Sequence, residues 1–420
     1  MSSSSLRAPR GTYDVLGGQA AARTAIESRA RAILEGAGYE RIETPAFEHT
    51  ELFARGVGAS TDIVSKEMYT LQDGSGRSLT LRPEGTAPVC RAYVEHGMHK
   101  RPSPVKLWYL SSFFRYERAQ AGRFRQFWQV GAEALGSDDP AVDAESIVLL
   151  CTLLAEVGVV DVRLRLASLG DPAGRGEYRE RLQAYLRANS ERLSPEVLGR
   201  IDSNPLRAFD SQHEGTRAVM AGAPLLLDQL NAADADHFAA VRSLLDAANV
   251  HYDVDPTLVR GLDYYTRTVF ELTSDALGAQ SGVGGGGRYD GLVELLGGPP
   301  TPGMGWAAGI ERIMLVAGED GSSAPTPSVD LFVAFDGAPK RASAFALVCA
   351  ARTAGIAVQM ELAGRSLKRQ LSHADRLRAR YVAIVDDPGT VVKDMQTGTQ
   401  QDLATDAVVH HVLRAMRDLP

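Results

Sequence analysis

Apolar and polar positions fall into blocks of two kinds along this chain, and their order predicts a mixed architecture. Gln19 to Glu35 carries helical periodicity and stops near Gly36 and Gly38. Tyr39 to Pro45 reads as a short strand closed by proline, which suits a sheet edge. Ser78 to Thr86 is a strand running into a turn, with a helix continuing through Arg91. Trp108 to Leu135 reads as a hairpin around the small-residue connection Ala119-Gln120-Ala121-Gly122, and a helix follows over about Asp143 to Val157. From Asp171 to about Asn249 the pattern is nearly all helical, as in Tyr178–Asn189 and Phe238–Ala248. This stretch interrupts two strand-rich regions and reads as an inserted helical module. Strand character returns over Thr257 to Leu272, and Pro302 to Arg312 is a small-residue strand entering a helix. Gly318 to Ser328 is a flexible linker and the clearest boundary. Beyond it, Val329–Phe335, Ala357–Leu362 and Tyr381–Asp386 alternate with helical patterns, as in a compact α/β domain.

Composition narrows the class. A chain of 420 residues suggests two or three domains, and 44% hydrophobic with 23% charged residues is ordinary for a globular core. The net charge of −7 argues against a general basic coat, so any nucleic-acid contact must come from local patches. One such patch follows Gly364, where Arg365, Arg369, Arg376 and Arg380 keep one face basic while Leu367, Leu371 and Leu377 can face inward. The three cysteines form no CxxC, which suggests neither a disulfide framework nor a zinc cluster. The serine-rich start lacks the apolar core of a signal peptide, and no run approaches transmembrane length. The expectation is a cytoplasmic protein with no membrane contact.

The candidate chemistry concentrates in Phe113 to Glu133, which holds four arginines, two glutamates and six aromatics. Strand alternation places Arg115 and Glu117 on one face of the first strand, and Phe127, Gln129 and Glu133, with Gly131 between, on one face of the second. Such a face is no hydrophobic core; it reads as the floor for a polar, phosphate-bearing ligand. Glu84 and Thr86, where a strand opens into a helix, can accept hydrogen bonds from an ammonium group, or Thr86 can cap that helix. Arg260, Asp263, Tyr264, Tyr265 and Arg267 make the later strand unusually polar. Gly282 to Gly287 satisfies GxGxxG, but the surrounding dinucleotide-fold pattern is not evident, so close backbone approach to a ligand is the better reading, with Arg288 and Tyr289 just after it. Arg312, in the first turn of its helix, opposes the macrodipole, which favours a ligand role. No GxSxG, P-loop or HExxH occurs.

Taken together, LRPEGTA (Leu81–Ala87), FRYERAQAGRFRQF (Phe114–Phe127), RGLDYYTRTVFE (Arg260–Glu271), GGRYDGL (Gly286–Leu292) and GMGWAAGIERI (Gly303–Ile313) closely resemble the histidyl-tRNA synthetase family of class II aminoacyl-tRNA synthetases. The resemblance runs from Arg10-Gly-Thr-Tyr-Asp to the C-terminal domain. It implies an α+β fold, with a class II antiparallel sheet of six or seven strands flanked by helices. The implied layout is a catalytic domain in two parts (1–170 and 253–318), a helical insertion (171–252), a linker (319–328) and an α/β anticodon-binding domain (329–420). It also implies a homodimer through the Gln19–Pro45 helix and strand, and a reaction in which L-histidine and ATP give histidyl-adenylate before transfer to histidine tRNA. Mg²⁺ would be carried on ATP, with no metal held by the protein alone.

By the same resemblance, Arg115 and Arg260 would be catalytic, contacting the histidine carboxylate and α-phosphate from two sides. Glu84, Thr86 and Gln129 would hold the α-amino group. Glu133 and Tyr265 would partner the imidazole, with Tyr264 and Tyr289 closing the pocket. Glu117 would read the adenine amino group, Phe127 and Arg312 would sandwich its ring, and Arg123 would reach the distal phosphates. Trp128 stands where the family often has histidine, facing away from Phe127 and Gln129. Thr397-Gly-Thr-Gln departs from the usual acidic version. The rivals are a non-catalytic regulatory subunit of ATP phosphoribosyltransferase, which generally lacks such residues and the C-terminal domain, and a synthetase for another amino acid.

Overall fold

The computed structural model describes residues 6–58, 61–118, 120, 122–172, 174–318, 329–386 and 389–417. The chain divides into two compact units, 1–323 and 324–420; residues 319–328, read as a linker, lie outside the described residues. Unit one contains strands β1 (Glu40–Arg41), β2 (Phe47–His49), β3 (Tyr69–Gln72), β4 (Ser78–Leu81), β5 (Val105–Phe114) and β6 (Gln126–Leu135). After these come β7 (Arg163–Ser168), β8 (Asp253–Val254), β9 (Thr266–Thr273), β10 (Gly282–Arg288) and β11 (Gly303–Gly309).

Eight of these form one sheet in the order β1-β5-β6-β11-β10-β9-β7-β8. Its six central strands are antiparallel, and the two-residue strands β1 and β8 add parallel edges. Strands β2, β4 and β3 make a separate three-stranded sheet. Helices Gly17–Gly36, Pro140–Glu156 and Ala232–Ala247 pack in series behind the large sheet. The second of them starts where Asp139 accepts a hydrogen bond from the Ala141 N–H and Pro140 needs no donor of its own. The described residues between β7 and β8 form only helices and turns, beginning with Arg175–Ala188, and their apolar faces share a core with Ala167, Tyr265 and Val269 of the sheet region.

Unit two adds β12 (Leu331–Phe335), β13 (Val358–Met360), β14 (Tyr381–Asp386), β15 (Gly389–Asp394) and β16 (Gln400–Leu403), in the order β13-β12-β14-β15-β16. Of the last two strands, β15 mixes two valines with glycine, threonine and a charged pair, and β16 is largely polar and exposed, so neither shows the apolar pattern of a core strand. The basic helix is Leu367–Arg376. Leu367, Leu371 and Leu377 pack inward, whereas Arg365 and Arg380 lie beyond its ends and Arg365 pairs with Glu361. Among the described residues no helix is long and apolar enough to cross a membrane.

Several expected elements are shorter than the patterns suggested. The first hairpin strand ends at Phe114, because the Arg115 N–H turns to the Arg125 carbonyl and the Tyr116 N–H to that of Glu67. Arg115 and Glu117 therefore lie beyond the strand. Likewise β9 begins only at Thr266, so Arg260, Asp263, Tyr264 and Tyr265 precede it; the Asp263 N–H is drawn to the Val57 carbonyl instead. Arg288, considered beside the ligand, is instead fully buried. Its guanidinium holds Asp143 of the helix behind, which in turn bonds His237 of the insertion at 2.9 Å. Burial alone would raise the Asp143 carboxyl, but His237 and Arg288 hold it below its ordinary value. Asp143→Ala leaves a buried guanidinium without its main partner, and a stability loss of roughly 3–5 kcal/mol is expected in urea denaturation. A loss below about 1 kcal/mol would show that Asp290 suffices for Arg288.

Candidate active site

The sheet's front face has a floor nearly free of side chains. In one row Tyr109, Gly131, Ala307, Gly285 and Glu271 lie side by side across β5, β6, β11, β10 and β9; in the next stand Leu107, Glu133, Gly305, Gly287 and Val269. A ligand here can approach the backbone closely. Over this floor opens a cleft of about 260 Å³, and every residue that the resemblance assigned to the site lines it except Glu133.

At its edge, Glu84 and Thr86 open the helix Thr86–Glu95. The Glu84 carboxylate accepts from the N–H groups of Thr86 (2.8 Å) and Ala87 (3.1 Å), so Glu84 rather than Thr86 does the capping. Burial raises the Glu84 carboxyl above its ordinary range, against the pull of those N–H groups. The Thr86 hydroxyl is free to donate to Glu133 Oε1 at 2.9 Å.

Glu133 stands on the same front face beside Gly305 and is fully buried under the cleft-lining groups that reach it. Its Oε1 also accepts from Tyr109 at 3.3 Å, and its Oε2 from Tyr289 at 2.7 Å. Burial pushes its carboxyl up to about 8, against the pull of Tyr289 and Thr86. The Tyr264 ring lies 4.8 Å from that of Tyr265 and 5.9 Å from that of Tyr289, so the three tyrosines form one wall. Gln129, on the same face of β6, stands between Ser111 and Gly309.

The other end is cationic. Arg115 is anchored by its Nε to the Pro83 carbonyl at 2.8 Å and lies 5.3 Å over the Phe127 ring. Glu117 stays beside it despite leaving the strand, 3.8 Å from Arg115 and 2.9 Å from Arg123. Arg312 donates to the carbonyls of Gly122 and Gly282. Burial first, then the charge of Arg123, holds its guanidinium below the usual range. From the far side Arg260 reaches Glu271 Oε1 at 2.9 Å, while its buried Nε has no acceptor among the described residues. An open, buried N–H on an ion-paired guanidinium, in a cleft lined by further arginines, suits an anionic ligand.

The histidyl-tRNA synthetase family model matches residues 11–313. The chain belongs to the histidyl-tRNA synthetase family. A histidine–tRNA ligase of Pelotomaculum thermopropionicum is 47% identical over 410 residues, 96% of either chain, and one of Corynebacterium urealyticum is 46% identical over 98% of this chain and 97% of its own. Among solved structures, the apo histidyl-tRNA synthetase of S. aureus superimposes with a TM-score of 0.82 at 35% identity, covering 97% of this chain and 100% of that one. The eight-stranded sheet is thus the class II synthetase sheet, with six antiparallel strands at its centre.

Three residues of this histidyl-tRNA synthetase fold escaped the sequence reading. Tyr109 faces Gly131 across β5 and β6, and a tyrosine paired with glycine on the polar face was the available signal. Glu271 is the carboxylate three strands from that pair and orients Arg260. Glu311 works from behind: it accepts from the Trp128 N–H, Tyr13 and Arg23, while Arg23 stacks 4.7 Å over the Trp128 ring on the rear face. Nothing local marks Glu311, since its partners lie 183 or more residues away.

The raised Glu133 carboxyl has a consequence for stability. The folded chain holds this proton more tightly than the unfolded chain, whose ordinary value is 4.5. The stabilisation is therefore complete below about 4.5 and is lost as pH rises through about 8. The melting temperature should fall more steeply between pH 6 and 9 for the wild type than for Glu133→Gln, which cannot ionise. Parallel curves would place the titration elsewhere.

Proposed function

We propose that the chain is a histidine–tRNA ligase that activates L-histidine with ATP, forming histidyl-adenylate and pyrophosphate, and then transfers histidine to the 3′ end of histidine tRNA. The single observation that carries this reading is one cleft with a cationic end at Arg115, Arg123, Arg260 and Arg312 and a hydroxyl- and carboxylate-lined end at Thr86, Glu84 and the tyrosines. A substrate carboxylate can attack the α-phosphate there without a protein nucleophile, so the work left to the chain is alignment and charge stabilisation.

Arg115 and Arg260 would grip the carboxylate and α-phosphate from opposite sides, and the partnerless Arg260 Nε supports that assignment. Arg123 would take the distal phosphates. Glu117 would accept from the adenine amino group, with the ring held between Phe127 and Arg312. Mg²⁺ would come with ATP, and Glu271, beside Arg260 in the cleft, is the carboxylate that would help hold it. The metal would offset phosphate charge.

Glu84, Thr86 and Gln129 would receive the α-ammonium group. In its ionised form Glu133 has about four lone-pair sites, of which three hydroxyls take one each, which would leave a place for one imidazole N–H. Tyr265 would meet the other ring nitrogen, with Tyr264 and Tyr289 as walls. Such a pocket rejects apolar amino acids because its own polar groups would go unpaired. The 329–420 domain would read the anticodon end of histidine tRNA, and the enzyme would act as a cytoplasmic homodimer joined through Gln19–Pro45. Relatives called ligases over nearly their full length, and the presence of Arg115, Arg260, the tyrosine pair and Arg312 in one cleft, favour this over a regulatory paralogue.

ATP–pyrophosphate exchange, run with each of the twenty amino acids separately, should respond to histidine alone. Silence with all of them would overturn the ligase reading, and a response to a different one would overturn the specificity. Arg260→His should slow exchange by a hundredfold or more, about 3 kcal/mol of barrier, while histidine binding stays measurable by calorimetry. Near wild-type kcat would remove Arg260 from the catalytic role.

A further inference from the structure

Resting on the histidine-activating reading above, we infer that the helical insertion sets the affinity for histidine, with Asp234 and Asn204 as positioning residues that bracket the Tyr264–Tyr265 pair. Immediately before the pair, Asp263 Oδ1 accepts from the Asn204 side chain at 2.9 Å. Two residues after it, the Arg267 Nε donates to Asp234 Oδ1 at 2.9 Å. Asn204 and Asp234 both belong to the insertion and lie thirty residues apart, so two separate points of it hold the two flanks of one short segment.

The second contact falls on strained backbone. Arg267 has φ +42°, a left-handed conformation that side chains with a Cβ rarely adopt. The register explains why it is needed. Val269 stands opposite Gly287, but the next partner, Arg288, faces Thr266 rather than Thr268. Two residues are absorbed in that step, a bulge that moves the chain along and decides where Tyr265 emerges. The emergence point is tight, since a Cβ on Gly287 would lie 3.0 Å from the Tyr265 ring. The backbone of Arg267 meanwhile stays laddered, its N–H to Gly170 and its carbonyl to Leu169.

Asp234 is built to hold this turn. It is almost wholly buried in the first turn of helix Ala232–Ala247, and its Oδ2 accepts from the Asp171 N–H at 2.8 Å and from Asn231 at 2.9 Å. Its other oxygen faces Arg267. The carboxylate thus offsets the cost of the left-handed residue, and through the bulge it fixes Tyr265 against the imidazole site. A plain tether between helix and sheet would need neither the strained residue nor the bulge beside the tyrosines.

Steady-state pyrophosphate exchange separates the two. Asp234→Asn should raise the KM for histidine roughly tenfold, about 1.4 kcal/mol, leaving the KM for ATP and kcat within about twofold. Adding Arg267→Gly should return the histidine KM toward wild type, because glycine adopts φ +42° unaided. Asn204→Ala, at an exposed contact that does not endanger folding, should raise the histidine KM roughly fivefold, the worth of one hydrogen bond. An unchanged histidine KM in Asp234→Asn and Asn204→Ala, or a rise that the glycine does not relieve, overturns the inference. If Asp234→Asn does not fold, the Asn204→Ala result decides alone. Absence of histidine exchange in the wild type overturns the ligase reading instead, so the two failures are told apart.

Discussion

A carboxylate buried in the middle of a sheet sets the terms for everything around it. Glu133 is tolerated there because three hydroxyls reach it, from Thr86, Tyr109 and Tyr289. Each hydroxyl arrives on a bulky or precisely placed side chain that must be given room. A Cβ at Gly305 would overlap the Glu133 carboxylate, one at Gly85 or Gly131 would overlap the Tyr109 ring, and one at Gly303 would overlap that of Tyr289. The glycines of the floor are therefore the counterpart of the tyrosines. Removing side chains from the floor makes space for the groups that satisfy Glu133, and also leaves the bare surface on which a nucleotide and an amino acid can lie.

The same economy governs charge. The cleft gathers Arg115, Arg123, Arg260 and Arg312 against Glu117 and Glu271, and burial with mutual repulsion leaves Arg312 below its usual range. Such a cluster stores unfavourable energy that an anionic substrate relieves. The rear face keeps the arrangement rigid. Glu311 ties the start of its helix to the Trp128 backbone and to the N-terminal Tyr13, so Arg312, one residue on, projects into the cleft from a fixed base. Arg288, Asp143 and His237 join the sheet, the helix behind it and the insertion. The insertion is consequently wired to the site at several points, including Arg200 with Asp62, which precedes the cleft-lining Ile63.

Local pattern along the chain marked most of the elements and their order and brought the polar residues of the cleft to notice. Period-two alternation over Phe127, Gln129 and Glu133 placed those residues on one face, and the motifs around Arg115, Arg260 and Arg312 identified the family, because both depend on neighbours a few residues apart. Tertiary structure decided what those residues meet. The strand order β6-β11-β10-β9 brings Arg260 across from Arg115, although more than a hundred residues separate them. Arg115 and Glu117 left their strand because the Arg125 carbonyl accepts from the Arg115 N–H and the Glu67 carbonyl from that of Tyr116 between them. Arg288 looked like a ligand residue and became a buried strut. The ionisation of Glu133 and the left-handed turn at Arg267 have no trace in local pattern. Both arise from desolvation and from hydrogen bonds closed across distant segments, which no short-range periodicity encodes.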